Sequence, residues 1–173
     1  TAFFDKGPKF LHYRPTTAIL TSVEFDHADI YRDLEHCQEA FKRLTASLPE
    51  DGCLVARWDH DSVIECCLDC PSEIRRYGKG QEWDGRIDSM DTTTGQMTFT
   101  VLRNGAPYGT FSSPMVGEHN LYNQVAIVAA LDFNGFTASE LSQGFPTFKG
   151  IRRRQEIVGT VSEITVIDDF AHH

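Results

Sequence analysis

The run Thr17-Ala18-Ile19-Leu20-Thr21-Ser22-Val23 is short, β-branched and nearly all apolar, and it restricts the fold more than any other feature. A strand without polar alternation is buried on both faces, the condition met in sheets covered by helices. Residues 33–48 follow with Leu34, Cys37, Phe41, Leu44 and Leu48 at steps of three and four, one apolar stripe on a helix. Cys53-Leu54-Val55-Ala56-Arg57 reads as a second strand and 61–68 as a short helix.

From 77 to 114 the texture changes. Turn signals recur at Asp91-Thr92-Thr93-Thr94-Gly95 and Asn104-Gly105, separated by alternating segments such as 97–102, the pattern of an antiparallel meander. A small antiparallel β subdomain inserted over 77–116 is expected. Helical signals then return. Asn120 suits the N-cap of an apolar helix and Gly135 its C-terminal end. Thr137-Ala138-Ser139-Glu140 is a capping box, and 156–159 with 164–167 alternate as a strand pair. Together these predict one α/β domain over 1–173, a mostly parallel sheet flanked by helices with a small antiparallel part.

Composition narrows the function. The net charge is −9, which disfavours nucleic acid, and Arg152-Arg153-Arg154 is too short for a nucleic-acid arm and reads as a local anion site. No stretch approaches the ~20 apolar residues of a membrane span. The apolar run 125–133 is interrupted by Asp132 and belongs to a buried helix. Five cysteines, three of them crowded at Cys66, Cys67 and Cys70, suggest reduced thiols in the cytoplasm rather than a disulfide framework. They lack a second ligand pair for a structural zinc site.

Three motifs carry chemistry. Glu24-Phe25-Asp26-His27-Ala28-Asp29 follows the first buried strand, where open α/β sheets bind ligands. Its carboxylates and imidazole suit a divalent cation with His27 as direct ligand; the alternative is a polar loop capping the next helix. In Gly117-Glu118-His119-Asn120-Leu121-Tyr122-Asn123, Asn120 and Asn123 share a helix face. Their amides match the donor–acceptor edge of an adenine, unless they only cap and solvate the helix. Arg152-Arg153-Arg154-Gln155-Glu156 offers guanidinium groups to a phosphate, or is a solvated basic loop.

In order along the chain, AFFDKGPKFLHYRP, EFDHADIY, GEHNLYN, RRRQE and DDFAHH are similar to the central domain of the Mur ligases, and within that family to its murein-recycling branch. The resemblance implies an ATP- and Mg2+-dependent ligase. It joins the carboxylate of UDP-N-acetylmuramate to the amine of the murein tripeptide L-Ala-γ-D-Glu-meso-diaminopimelate through an acyl phosphate, in peptidoglycan recycling. By the same resemblance His27 holds magnesium, Asn120 and Asn123 bind near the adenine, Arg154 and Asp169 contact phosphate or ribose, and His172 and His173 face the reacting substrates. Lys42 stands fifteen residues after His27 (42 − 27 = 15), the spacing at which some members carry a carbamylated lysine. Position 22 is Ser22, where relatives commonly carry asparagine. The family's GxxGKT-type loop, its metal-binding glutamate and its carboxy-terminal domain are expected outside residues 1–173, so this segment alone should be inactive. An alanine-adding or folylpolyglutamate-synthase-like ligase, or a non-catalytic α/β binding domain, is the alternative.

Overall fold

The computed structural model describes residues 7–26, 28, 30–91, 94–148, 150–151, 153 and 156–170. After a 3-10 turn over Lys9–His12, the order is β1 (Thr17–Leu20), α1 (Leu34–Ala46), β2 (Cys53–Arg57), α2 (Asp61–Cys66) and β3 (Glu73–Tyr77). Then come β4 (Trp83–Asp91), β5 (Gln96–Arg103), β6 (Ala106–Ser113), α3 (Glu118–Phe133), α4 (Ala138–Gly144), β7 (Glu156–Val161) and β8 (Ile164–Asp168).

The first six strands form one sheet in sequence order. β1, β2 and β3 run parallel, with Val55 opposite both Ile19 and Arg75. The β2 side chains divide between two cores. Leu54 and Ala56 face α1 and α2, while Cys53 and Val55 join the core under α3 and α4. Burial on both faces is what an unbroken apolar strand requires, and β2 meets it; β1 does not, because it is the edge strand and its Ile19 is 40% exposed. The antiparallel strands within 77–116 do not stand apart. They continue the same sheet through a single parallel pair, Tyr77 with Trp83, after which β4, β5 and β6 form a meander. Asn104 (φ 51°) and Gly105 (φ 78°) make its second turn, where two residues of positive φ match the strand twist.

Helix ends follow local chemistry. Asp33 caps α1 by accepting the His36 amide at 2.8 Å. The capping box of α4 is present, with the Thr137 amide donating to Glu140 at 2.8 Å and the Glu140 amide to Thr137 Oγ1 at 3.3 Å. α3 starts earlier than expected: Gly117 (φ 99°) is its N-cap and Asn120 lies inside its first turn. Its far end closes as a Schellman motif, with Phe136 N–H donating to Leu131 O at 3.0 Å and Gly135 N–H to Asp132 O at 3.1 Å.

Asp132 is the polar residue that interrupts the apolar run, and the fold supplies the reason. It accepts from Arg75 Nη1 at 2.5 Å, Tyr108 OH at 2.9 Å and Arg103 Nη1 at 3.4 Å. Arg75 also donates to Ala129 O at 2.9 Å and packs beside the Trp83 and Phe133 rings. All five cysteines are free, four of them buried. Burial pushes the Cys67 thiol up to about 12 and those of Cys53 and Cys66 to about 11, so they stay neutral and unreactive. Among the described residues no helix is long and apolar enough to cross a membrane.

Candidate functional site

The carboxyl ends of β1, β2 and β3 lie at one edge of the sheet, and the chain there is tied down by polar contacts. Arg57, the last residue of β2, grips Asp59 with Nε at 2.5 Å and Nη2 at 3.1 Å. Asp59 in turn accepts the Lys79 amide at 3.4 Å, beyond the end of β3. Burial raises the Asp59 carboxyl, but the Arg57 guanidinium outweighs it and leaves the group below its ordinary value. Gly78 (φ 133°) passes so close that a Cβ would sit 2.7 Å from Asp59 Oδ1, which only glycine permits. The Arg57 guanidinium also stacks 4.0 Å from the Tyr122 ring, coupling this edge to the first turns of α3.

Those turns separate two cavities. On one side Lys79, Asp84, Arg86, Glu118, Leu121 and Tyr122 border a shallow space of about 460 Å³. On the other lies a slot of about 540 Å³. Its apolar walls come from Ile127 and Leu131 of α3, Phe136 of the Schellman turn, Leu141 of α4, and Phe145, Phe148 and Ile151 beyond it. Its polar groups come chiefly from one wall: Asn120, Asn123 and Gln124 on α3, with Ser113 at the end of β6. Apolar faces with a carboxamide edge on one side suit a flat heteroaromatic ring.

Asn120 and Asn123 line the same slot. Asn120 is not the helix cap; it is 8% exposed and its Nδ2 donates to Val116 O at 2.8 Å. Asn123 is exposed at the slot. Lys42 lies on α1, half-exposed, 3.6 Å from Glu65 of α2. Asp169 is exposed just past β8. Next to it, Arg153 donates its amide to Glu156 at 2.8 Å, sits 3.7 Å from Asp168 and covers the Phe170 ring. His27, Arg154, His172 and His173 lie outside the described residues. Glu24 is exposed and Asp26 half-buried at the end of β1. Among the described residues no three His, Cys, Asp or Glu side chains gather to hold a metal.

Sequence reasoning missed Gln124, the aromatic walls of the slot, and the Arg57–Asp59 grip. The signals were faint: an Arg-x-Asp after a buried strand, and Phe145 and Phe148 three apart beyond α4.

An open, largely parallel sheet with a carboxamide-edged slot beside its helices is an α/β architecture of the kind in which ligands bind. Residues 7–131 match the Mur ligase middle domain, and the chain belongs to that family. It is 35% identical over its whole length to the UDP-N-acetylmuramate–L-alanyl-gamma-D-glutamyl-meso-2,6-diaminoheptandioate ligase of Haemophilus influenzae, of which it spans 38%. It is 34% identical over 95% of its length to the UDP-N-acetylmuramate–L-alanine ligase of Alkaliphilus metalliredigens, of which it spans 36%. Among solved structures, the UDP-N-acetylmuramate:L-alanyl-gamma-D-glutamyl-meso-diaminopimelate ligase from Neisseria meningitides superimposes with a TM-score of 0.75. That match has 34% identity and covers 88% of this chain and 46% of the other. The chain thus spans a little over a third of the length of the curated relatives it matches.

Proposed function

We propose that this chain is the central, nucleotide-binding domain of an ATP-dependent ligase that joins the carboxylate of UDP-N-acetylmuramate to the amine of L-Ala-γ-D-Glu-meso-diaminopimelate in the cytoplasm. The slot beside α3 carries the reading, because it combines apolar walls with the Asn120 and Asn123 amides at a size that suits a nucleobase. Identity of 35% across the whole chain to a ligase named for that peptide supports it. The relative that adds L-alanine, at 34%, keeps a second reading open; the segment around Gly7-Pro8-Lys9-Phe10-Leu11-His12-Tyr13 favours the first. The glycine-rich phosphate loop and a carboxy-terminal domain belong to the parts of the parent ligase outside 1–173.

ATP supplies the phosphoryl group that activates the carboxylate, and magnesium spreads its charge. The chain's own residues bind and orient. Asn120 and Asn123 hold the base, Arg154 and Asp169 steady phosphate or ribose, and His27 is the magnesium ligand. His172 and His173 act on the reacting groups, and Lys42, 3.6 Å from Glu65, is either a carbamate site or a solvated lysine of α1.

The test is steady-state kinetics of the intact ligase with the tripeptide and, separately, L-alanine as the amine. Asn120→Ala and Asn123→Ala should each raise KM for ATP by about tenfold, the loss of roughly one good hydrogen-bonded contact, with KM for the amine unchanged. His27→Ala should lower turnover and raise the magnesium requirement with little change in Tm. An unchanged KM for ATP in both asparagine variants refutes the nucleotide site, and faster use of L-alanine refutes the peptide specificity. Full activity of Lys42→Ala without bicarbonate sensitivity removes the carbamate.

A further inference from the structure

Successive residues of a strand turn their main-chain N–H and C=O groups to opposite edges, so one bond fixes which residues face which neighbour. Trp83 O accepts the Gly78 amide at 3.0 Å, which turns the main chain of Trp83 toward β3. Two and four residues on, Gly85 and Ile87 face that same edge, while Asp84 and Arg86 face β5 opposite Leu102 and Thr100. β3 ends at Tyr77, and its pairing with β4 stops at Trp83. Beyond that point, among the described residues, no strand covers β4 on this side. The Gly85 amide is taken by Asp84 Oδ1 at 2.7 Å. Gly85 O and both main-chain groups of Ile87 are thus presented to an added strand.

The groove along this edge is the shallow space of about 460 Å³, lined by Gly85 and Ile87, by Leu121 and Tyr122 of α3, and by Lys79 and Glu118. Asp84 is engaged by the Gly80 and Gly85 amides, and Arg86 by Asp88. Lys79 and Glu118 are exposed, and among the described residues neither side chain has an ion-pair partner. A row of main-chain groups with one free charge of each sign fits an extended peptide that ends in a zwitterion. We propose that this groove is the peptide subsite of the ligase and takes the diaminopimelate end of the amine-bearing peptide as an added strand. The inference rests on the proposed function. The free amino-acid end of diaminopimelate sets its carboxylate against Lys79 and its ammonium against Glu118. At the peptide-linked centre, the N–H donates to Gly85 O and the carboxylate accepts from Ile87 N–H, as a parallel neighbour opposite Arg86 would. The reactive amine lies at the other end of the peptide. Neighbouring strands are about 4.8 Å apart, so β1 is roughly 14 Å from β4 across β2 and β3. An extended three-unit peptide with a γ linkage spans about that distance, which brings the amine to the segment that follows β1.

The test uses the intact ligase with L-Ala-γ-D-Glu-meso-diaminopimelate and, as alternative substrate or competitor, L-Ala-γ-D-Glu-L-Lys, which keeps the distal ammonium but lacks the distal carboxylate. Lys79→Met should raise KM for the first peptide at least about tenfold, the loss of one charge-assisted contact, and the constant for the second under about threefold. KM for ATP and for UDP-N-acetylmuramate should not move. Glu118→Gln should weaken both peptides. Hydrogen exchange over residues 84–88 should slow when the tripeptide is added, a readout that needs neither turnover nor a variant. Full protection of that segment before peptide is added means that another part of the parent ligase covers the edge, and overturns the proposal. Unchanged peptide constants in folded Lys79→Met and Glu118→Gln overturn it too. A ligase that does not use the tripeptide at all refutes the proposed function itself. One that uses it while both variants keep the constants of the unsubstituted enzyme loses only this subsite.

Discussion

Replacing Arg75 by methionine removes a buried charge while keeping most of the side chain's length, so the loss can be assigned to polar contacts. Arg75 is 8% exposed and donates to Glu73, Ala129 O and Asp132. Breaking a buried ion pair costs about 3–5 kcal/mol, because the remaining charge is left without compensation. Asp132 keeps Tyr108 and Arg103, and its side chain is 17% exposed. Those residual partners lower the expected cost to roughly 2–3 kcal/mol. At about 2–4 °C per kcal/mol for a chain of this size, Tm should fall by roughly 4–12 °C. Calorimetry of Arg75→Met, Asp132→Leu and the double variant measures this directly. The double variant should be more stable than the sum of the single losses predicts, by at least about 1 kcal/mol, since neither charge is left alone. A drop under about 2 °C in Arg75→Met, or additive losses, refutes the reasoning.

Three further outcomes are expected. Gly85→Ala places a Cβ 2.7 Å from Val125 Cγ2 and 2.9 Å from Leu121 Cδ1; urea denaturation should show a loss of about 1–3 kcal/mol from overpacking between β4 and α3. The thiols of Cys53, Cys66 and Cys67 are raised above the ordinary value of 9. Their contribution to stability is therefore full below about pH 9 and is lost as pH rises toward 11–12. The urea midpoint should decline over that window, and less steeply in Cys67→Ala. Finally, the 173-residue chain alone should release phosphate from ATP at the uncatalysed background, since the sequence of residues 1–173 contains no GxxGKT-type run to cradle the β- and γ-phosphates. A phosphate-release assay showing turnover would overturn that division of labour.

Elements whose physics is local were legible in the sequence. The α1 helix, the α4 capping box, the Asn104-Gly105 turn and the doubly buried β2 each depend on residues a few positions apart, although α1 buries Cys37, Ala40 and Thr45 and leaves Leu34 of the expected stripe 40% exposed. β3 was not. Its Glu-Ile-Arg-Arg-Tyr run resembles a solvated segment, because the Arg75 charge is neutralised by Asp132, 57 positions away. For the same reason Asp132 read as a break in an apolar helix. The start of α3 was misjudged because asparagine is a stronger capping signal than glycine, whereas Gly117 supplies a backbone angle that Asn120 has no need to adopt. In the candidate site, Asn120 and Asn123 stood out by their spacing. Gln124 did not, since its place in the slot wall exists only once Met115 and α3 are brought together.

The single residue pair between β3 and β4 has a kinetic consequence. The meander closes over short stretches of chain, while β1, β2 and β3 come together only across intervening helices, and local closure is the faster event. Each half can gather its hydrogen bonds with little help from the other across so narrow a seam. What fuses them is α3, synthesised after both and packed on β1, β2 and β3 as well as β4 and β5. Docking of that helix is the step at which two semi-independent sheets become one cooperative unit. Weakening its contacts, as Gly85→Ala does, should therefore broaden the unfolding transition and separate the probes of the two halves, rather than only shift a midpoint.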